Sequence, residues 1–129
     1  MADLRNIALT LEATQVASDL RSSLGIADQM DIIRVGFAYA VKLRISLERG
    51  GRFGTRGGSN YDTGGLDVDG LMAETVQIFY PDTEAGEEPY RAVETLMNKG
   101  LRKLGEDLDA GVIGSISDLI AAPPVEIIA

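Results

Sequence analysis

The hydrophobic positions of this chain fall into two rhythms. RNIALTL, residues 5–11, alternates: Ile7, Leu9 and Leu11 lie on one side, and Asn6, Ala8 and Thr10 on the other. A period of two predicts a short strand. One strand is not stable alone, and no second strand stands out in the chain. Pairing with the same strand of a second copy is therefore expected. From residue 13 the period lengthens. Val16, Leu20 and Leu24 recur at intervals of four, and Gly25 is a natural stop, so 13–25 is predicted helical.

A second helix is predicted over 26–48. Asp28 is a good N-cap. The run from Ile32 to Leu47 carries only Arg34, Lys42 and Arg44 as charges and is apolar on most sides. A helix apolar all round must be buried all round, which in a chain of 129 residues points to an oligomer core. After a glycine-rich stretch at 49–67, a helix is expected from about Val68 to Tyr80, with Met72, Val76 and Phe79 on one face and Pro81 at its end. Pro89 suits the first turn of the next helix, which runs through Leu108. Val93, Leu96, Met97, Leu101, Leu104 and Leu108 form its apolar stripe. Gly100 interrupts that stripe at a cost of about 1 kcal/mol relative to alanine, which a close helix–helix approach would explain. Ser115 caps a last short helix, and the apolar tail VEIIA has no assigned place.

The expected fold is thus mostly α: a short N-terminal strand, then about five helices, with an oligomer as the working unit. It is organised as one domain over 1–129. Residues 1–48 form a strand-helix-helix oligomer core, 49–67 a Gly/Arg-rich loop and 68–129 an acidic helical half.

Composition narrows the chemistry. The chain has no cysteine and no histidine. Disulfides, thiolate nucleophiles, iron–sulfur clusters, the usual zinc sites and the commonest general base are all excluded. A non-enzymatic role without a cofactor is expected. No run of about 20 apolar residues crosses a membrane, and the N-terminus is too polar for a signal peptide, so the expected location is cytoplasmic. The net charge of −8 divides unevenly, with +2 over residues 1–56 and −10 over 57–129. Such a split marks either two functional surfaces or simply a solvated acidic face.

The loop RGGRFGTRGGSNYDTGG, residues 49–65, raises the question of phosphate binding. No lysine follows its glycines in the phosphate-loop order, and no strand leads through it directly into a helix, so nucleotide cradles are excluded. Two readings remain: an inter-helix linker, or an arginine arm for nucleic acid. From Lys42 to Arg56 five cations (Lys42, Arg44, Arg49, Arg52, Arg56) stand against Glu48 alone, with Phe53 among them. Arginine forks contact phosphates well and an aromatic ring can stack on a base. Lys99, with Arg102 and Lys103, makes one basic spot in the acidic half, unless these residues pair with Glu94, Glu106 and Asp107. The candidate nucleic-acid contacts are therefore Arg34, Lys42, Arg44, Arg49, Arg52, Arg56 and Lys99. Asp62, Asp67 and Asp69 are weak metal candidates; they lack the EF-hand order and suit N-caps better.

The order strand, helix, GIADQMDIIRVGFAYAV resembles the ribbon-helix-helix fold, in which two strands pair across a dimer and enter the DNA major groove. Here the outward strand residues Asn6, Ala8 and Thr10 carry no charge. A broader resemblance covers most of the chain. IALTLEATQVASDLRSSLGI, the helical IIRVGFAYAVKLRISLE, NYDTGGLDVDG and MNKGLRKL are similar to segments of the DndE family, accessory proteins of bacterial DNA phosphorothioate modification. The resemblance implies a small helical oligomer, a tetramer, that binds intact or nicked duplex DNA beside a cysteine desulfurase and an ATPase. A chain without cysteine cannot itself carry a persulfide, so within such a system it would be an accessory. The alternatives are a protein–protein adaptor of a DNA modification or defence complex, and a ribbon-helix-helix repressor.

Overall fold

A computed structural model describes residues 3–47, 54–81 and 87–115. The described residues are mostly helical, with five helices and one two-stranded antiparallel sheet near the N-terminus. In chain order the elements are β1 (Asn6–Ala8), α1 (Leu11–Leu24), α2 (Gln29–Lys42), β2 (Asn60–Asp62), α3 (Thr63–Leu66), α4 (Leu71–Phe79) and α5 (Pro89–Asp109).

The helix boundaries follow local chemistry. Thr10 caps α1 through its hydroxyl, which accepts from Ala13 N, and Gly25 closes that helix at φ 71°. Asp28 caps α2 as expected, accepting from Met30 N. That helix ends at Lys42, earlier than the predicted 48, where Arg44 turns the chain at φ 55°. The helix predicted over 68–80 begins later, at Leu71, and a short helix, α3, stands inside the stretch read as loop. Asp62 caps the short α3, and Asp67 caps α4 by accepting from Met72 N and Ala73 N. Met72 and Val76 face the core as predicted, whereas Phe79 is largely exposed. Pro89 stands in the first turn of α5. Asp3, far away in sequence, supplies that helix with its cap: its carboxylate accepts from Tyr90 N at 2.7 Å and Arg91 N at 3.2 Å. The helix expected after Ser115 and the VEIIA tail lie outside the described residues.

The core is centred on the crossing of α2 and α5. A side chain on Gly100 would lie 1.9 Å from the carbonyl oxygen of Gly36, so the two backbones meet directly. This is the close approach expected at Gly100. Ile32, Ile33, Ala40, Leu96, Met97, Leu101 and Leu104 pack around it, with Leu20 and Ala17 of α1 on one flank and Val76 of α4 on another. The apolar surface of α2, expected to need a second copy, is covered within the chain by α5 and α1.

The strand expectation is also corrected. β1 pairs within its own chain, with Ile7 opposite Tyr61 and Ala8 opposite Asn60. β2 escapes a periodicity reading because it is three residues long and sits at the end of the glycine run. Thr10 and Ala8, expected to face outward, are buried, and Leu11, expected inward, is exposed as the first residue of α1.

Gly100→Ala is expected to lower unfolding stability by about 2 kcal/mol, the overpacking cost exceeding the gain in helix propensity. Gly36→Ala meets the Leu101 side chain first and should cost less. Urea denaturation followed by far-ultraviolet circular dichroism measures both.

Candidate functional site

A strand has two edges, and the residues of β1 divide between them. On one edge Leu9 N donates to Ser59 O at 2.8 Å, Gly58 N donates to Leu9 O at 2.8 Å and Thr63 N donates to Arg5 O at 3.0 Å. Gly58 is required here. A side chain on it would lie 2.1 Å from Thr14 Oγ1 and 2.5 Å from Thr10 O. The described end of the glycine run is therefore fitted against β1 and the start of α1, and is not a loose linker.

The other edge of β1 meets side chains instead of a strand. Ala8 N donates to Glu94 Oε2 at 2.8 Å, Thr10 N donates to Asn98 Oδ1 at 2.9 Å, and Asn98 Nδ2 donates to Ala8 O at 3.0 Å. Arg56 completes the row: its Nη2 donates to Asn6 O at 3.0 Å and its Nε to Glu94 Oε2 at 2.9 Å. Glu94 and Asn98 are one helical turn apart on α5, so they present their polar ends at about the spacing of alternate strand residues. Both are buried. In sequence Glu94 reads as a surface ion-pair partner, and Asn98 draws no reading of its own. The signal that could have found them is a pair of polar residues at i, i+4 on the flank of an apolar stripe, beside a strand with an unpaired edge.

The candidate basic residues separate into three groups. Arg34 holds α3: its Nε donates to Leu66 O at 3.1 Å and its Nη2 to Gly65 O at 3.4 Å, with Nη1 2.9 Å from Asp31 Oδ1. Arg56 lies at the edge of β1, as described. Lys42, Arg44 and Lys99 form the third group, at the exit of α2. Lys42 is in the last turn. Arg44 lies 4.2 Å from the centroid of the Phe79 ring, and its Nη1 donates to Val41 O. Lys99 reaches across from α5, where its Nζ donates to Ser46 O at 3.2 Å. Arg49 and Arg52 lie outside the described residues. Of the neighbouring cations of α5, Lys103 pairs with Asp107 at 3.0 Å, and Arg102 lies 3.7 Å from Glu12 of α1.

Two further buried carboxylates are tied to tyrosines. Asp107 accepts from the hydroxyl of Tyr39, and burial followed by that hydrogen bond pushes the Tyr39 pKa upward. Asp67 accepts from Tyr90 Oη at 2.8 Å, beside the two α4 amides it already caps. Burial and this carboxylate push the Tyr90 pKa up to about 12. Tyr80 is raised by burial, with Arg44 opposing, and its hydroxyl donates to Ile45 O. Asp62 and Asp69 also cap backbone amides, those of Gly65 and Leu71. Among the described residues no group of three or more acidic side chains is gathered for a metal ion. No described helix is long and apolar enough to cross a membrane.

No family model, curated protein or solved structure matches this chain.

Asn98→Ala would leave the buried Thr10 amide and Ala8 carbonyl unpaired, and is expected to cost about 2–4 kcal/mol in urea denaturation. The Tyr90 pKa is higher folded than unfolded. Its contribution to stability is whole below the unfolded value of 10.0 and is lost as pH rises through about 12. Tyr90→Phe should flatten the fall in urea midpoint across that window, at a cost of about 1 kcal/mol at neutral pH from the lost hydrogen bond.

Proposed function

We propose that the protein is a non-enzymatic, oligomeric DNA-binding accessory subunit of a bacterial DNA phosphorothioate modification system. The observation that carries the DNA contact is the gathering of Lys42, Arg44 and Lys99 at the exit of α2. Lys99 arrives there from a distant part of the sequence and donates to Ser46 O, close to where the chain continues into the segment bearing Arg49 and Arg52. Five cations thus belong to one short stretch of surface and its adjoining segment, in a chain whose net charge is −8. The attribution to phosphorothioate modification rests on the resemblance of IIRVGFAYAVKLRISLE, NYDTGGLDVDG and MNKGLRKL to the DndE family.

Within this reading the seven candidate cations have different roles. Arg34 and Arg56 support the frame by bonding backbone and buried carboxylate. Lys42, Arg44, Arg49, Arg52 and Lys99 contact phosphates. Binding is independent of base sequence and driven by counterion release. The acidic remainder opposes approach, so several copies acting together hold the duplex. A homo-oligomer presenting its basic stretches to one DNA fits that requirement.

The adaptor reading has one observation in its favour. A groove of about 230 Å³ between α1 and α5 has Val16, Leu20 and Leu108 in its lining and Glu12, Asp19, Glu106 and Asp109 around it. That combination suits a basic protein partner. The ribbon-helix-helix repressor reading loses its main support, since both edges of β1 are bonded within the chain.

Titration of labelled intact and nicked duplex at two salt concentrations tests the proposal. With the five phosphate contacts of one copy, a four-fold rise in salt should weaken binding roughly 500-fold, and more when several copies share one duplex. Arg49→Glu with Arg52→Glu should abolish binding without changing the urea midpoint. Absence of binding at low salt, with the oligomer intact, would overturn the reading in favour of the adaptor.

A further inference from the structure

We propose that α4 is a self-association surface, on which a second copy of this chain docks antiparallel through the same helix. The helix leaves an unusual amount of apolar surface in water. Val68 just before it is 81% exposed, Leu71 is 56%, Ile78 is 64% and Phe79 is 44%. Leu71 and Ile78 are seven residues apart and lie on one side of the helix. Thr75 sits between them, and its hydroxyl is already committed to Leu71 O at 2.6 Å, which leaves its methyl group as the outward surface. An apolar row with a small, satisfied residue at its middle allows two helices to approach closely.

Charge decides the occupant and its direction. The start of α4 is acidic at its surface, with exposed Asp69. Its end carries Arg44, held over the Phe79 ring. A two-fold axis at Thr75 sets Leu71 of each copy opposite Phe79 of the other. The cation at one end then meets Asp69 at the other, twice, and the helix dipoles oppose favourably. A parallel arrangement would stack like charges. Shape agrees with charge. A notch of about 340 Å³, lined by Phe37, Leu66, Val68, Leu71 and Met72, lies beside the start of α4. The same axis brings the exposed Ile78 of the second copy opposite Met72, at the mouth of that notch. The surface is small for a stable dimer, so the association is weak and concentration-dependent. This inference does not rest on nucleic-acid binding, although it uses Arg44, one of the proposed phosphate contacts. It also places the self-association surface on α4, beside the exit of α2 and away from β1.

Sedimentation velocity from low micromolar to near-millimolar protein tests it. The expected result is a reversible species of twice the 13.8 kDa chain mass, alone or as the building unit of a larger assembly. Ile78→Glu should raise the dissociation constant roughly 100-fold, because an unpaired carboxylate would be buried, while leaving circular dichroism unchanged. Leu11→Glu, at a residue 72% exposed elsewhere on the protein, should leave association unchanged. The chain has no cysteine, so Thr75→Cys supplies a single thiol at the proposed axis. Mild oxidation should link it into dimers, and the same thiol at Leu11 should not link. A monomer at every concentration, or an assembly indifferent to Ile78→Glu, overturns the proposal.

Discussion

The contact between Gly36 and Gly100 sets the spacing of everything else. Two helices whose backbones touch bring their flanking side chains closer than ordinary packing would. Because α5 is held that near to α2, Glu94 and Asn98 on its flank reach the N-terminal strand and bond its backbone. The apolar residues around the crossing supply most of the burial, but they could do so at several helix separations. Only the absence of side chains at both glycines fixes the one separation at which the polar groups beside the core are also satisfied.

Much of this frame was legible in the sequence. Asp28 and Gly25 marked helix ends, Pro89 opened the long helix, and Gly100 announced a close approach. These are local signals, each depending on one residue's own stereochemistry. The misreadings have a common cause. Burial of α2 and pairing of β1 are tertiary facts, and a sequence pattern reports that a surface must be covered without saying by what. An intermolecular partner is the reading in both cases, and in both the chain itself provides it: α5 with α1 for α2, and β2 with the flank of α5 for β1. β2 was hidden because three residues are too few for a periodic signal. Of the candidate cations, Arg34 and Arg56 gave no sign of their structural bonds, since an arginine that serves a carbonyl and one that serves a phosphate look alike in sequence.

Charge is organised on two scales. Over the whole chain it is strongly acidic, which favours solubility and repels polyanions. Locally, buried carboxylates are each given a donor: Arg56 for Glu94, Tyr90 and two amides for Asp67, Tyr39 and Lys103 for Asp107. These groups are satisfied inside the frame and leave the outer surface to set the long-range field. The cations at the exit of α2 sit against a distant acidic background, whose field is largely screened beyond about 10 Å at ordinary salt.

The edge of β1 that faces α5 has a consequence for how the chain acquires its structure. The residues bonded there are separated by 86, 88 and 90 positions. Contacts that distant form late, after much loop entropy has been given up. During synthesis the first residues wait, unpaired on that edge, until nearly a hundred others have left the ribosome. Until then β1 has only β2 to pair with, and α1 and α2 have only each other to pack on. Newly made N-terminal segments are thus exposed to one another for seconds, and the strand edge that the finished protein closes is the one open to misassembly between nascent chains.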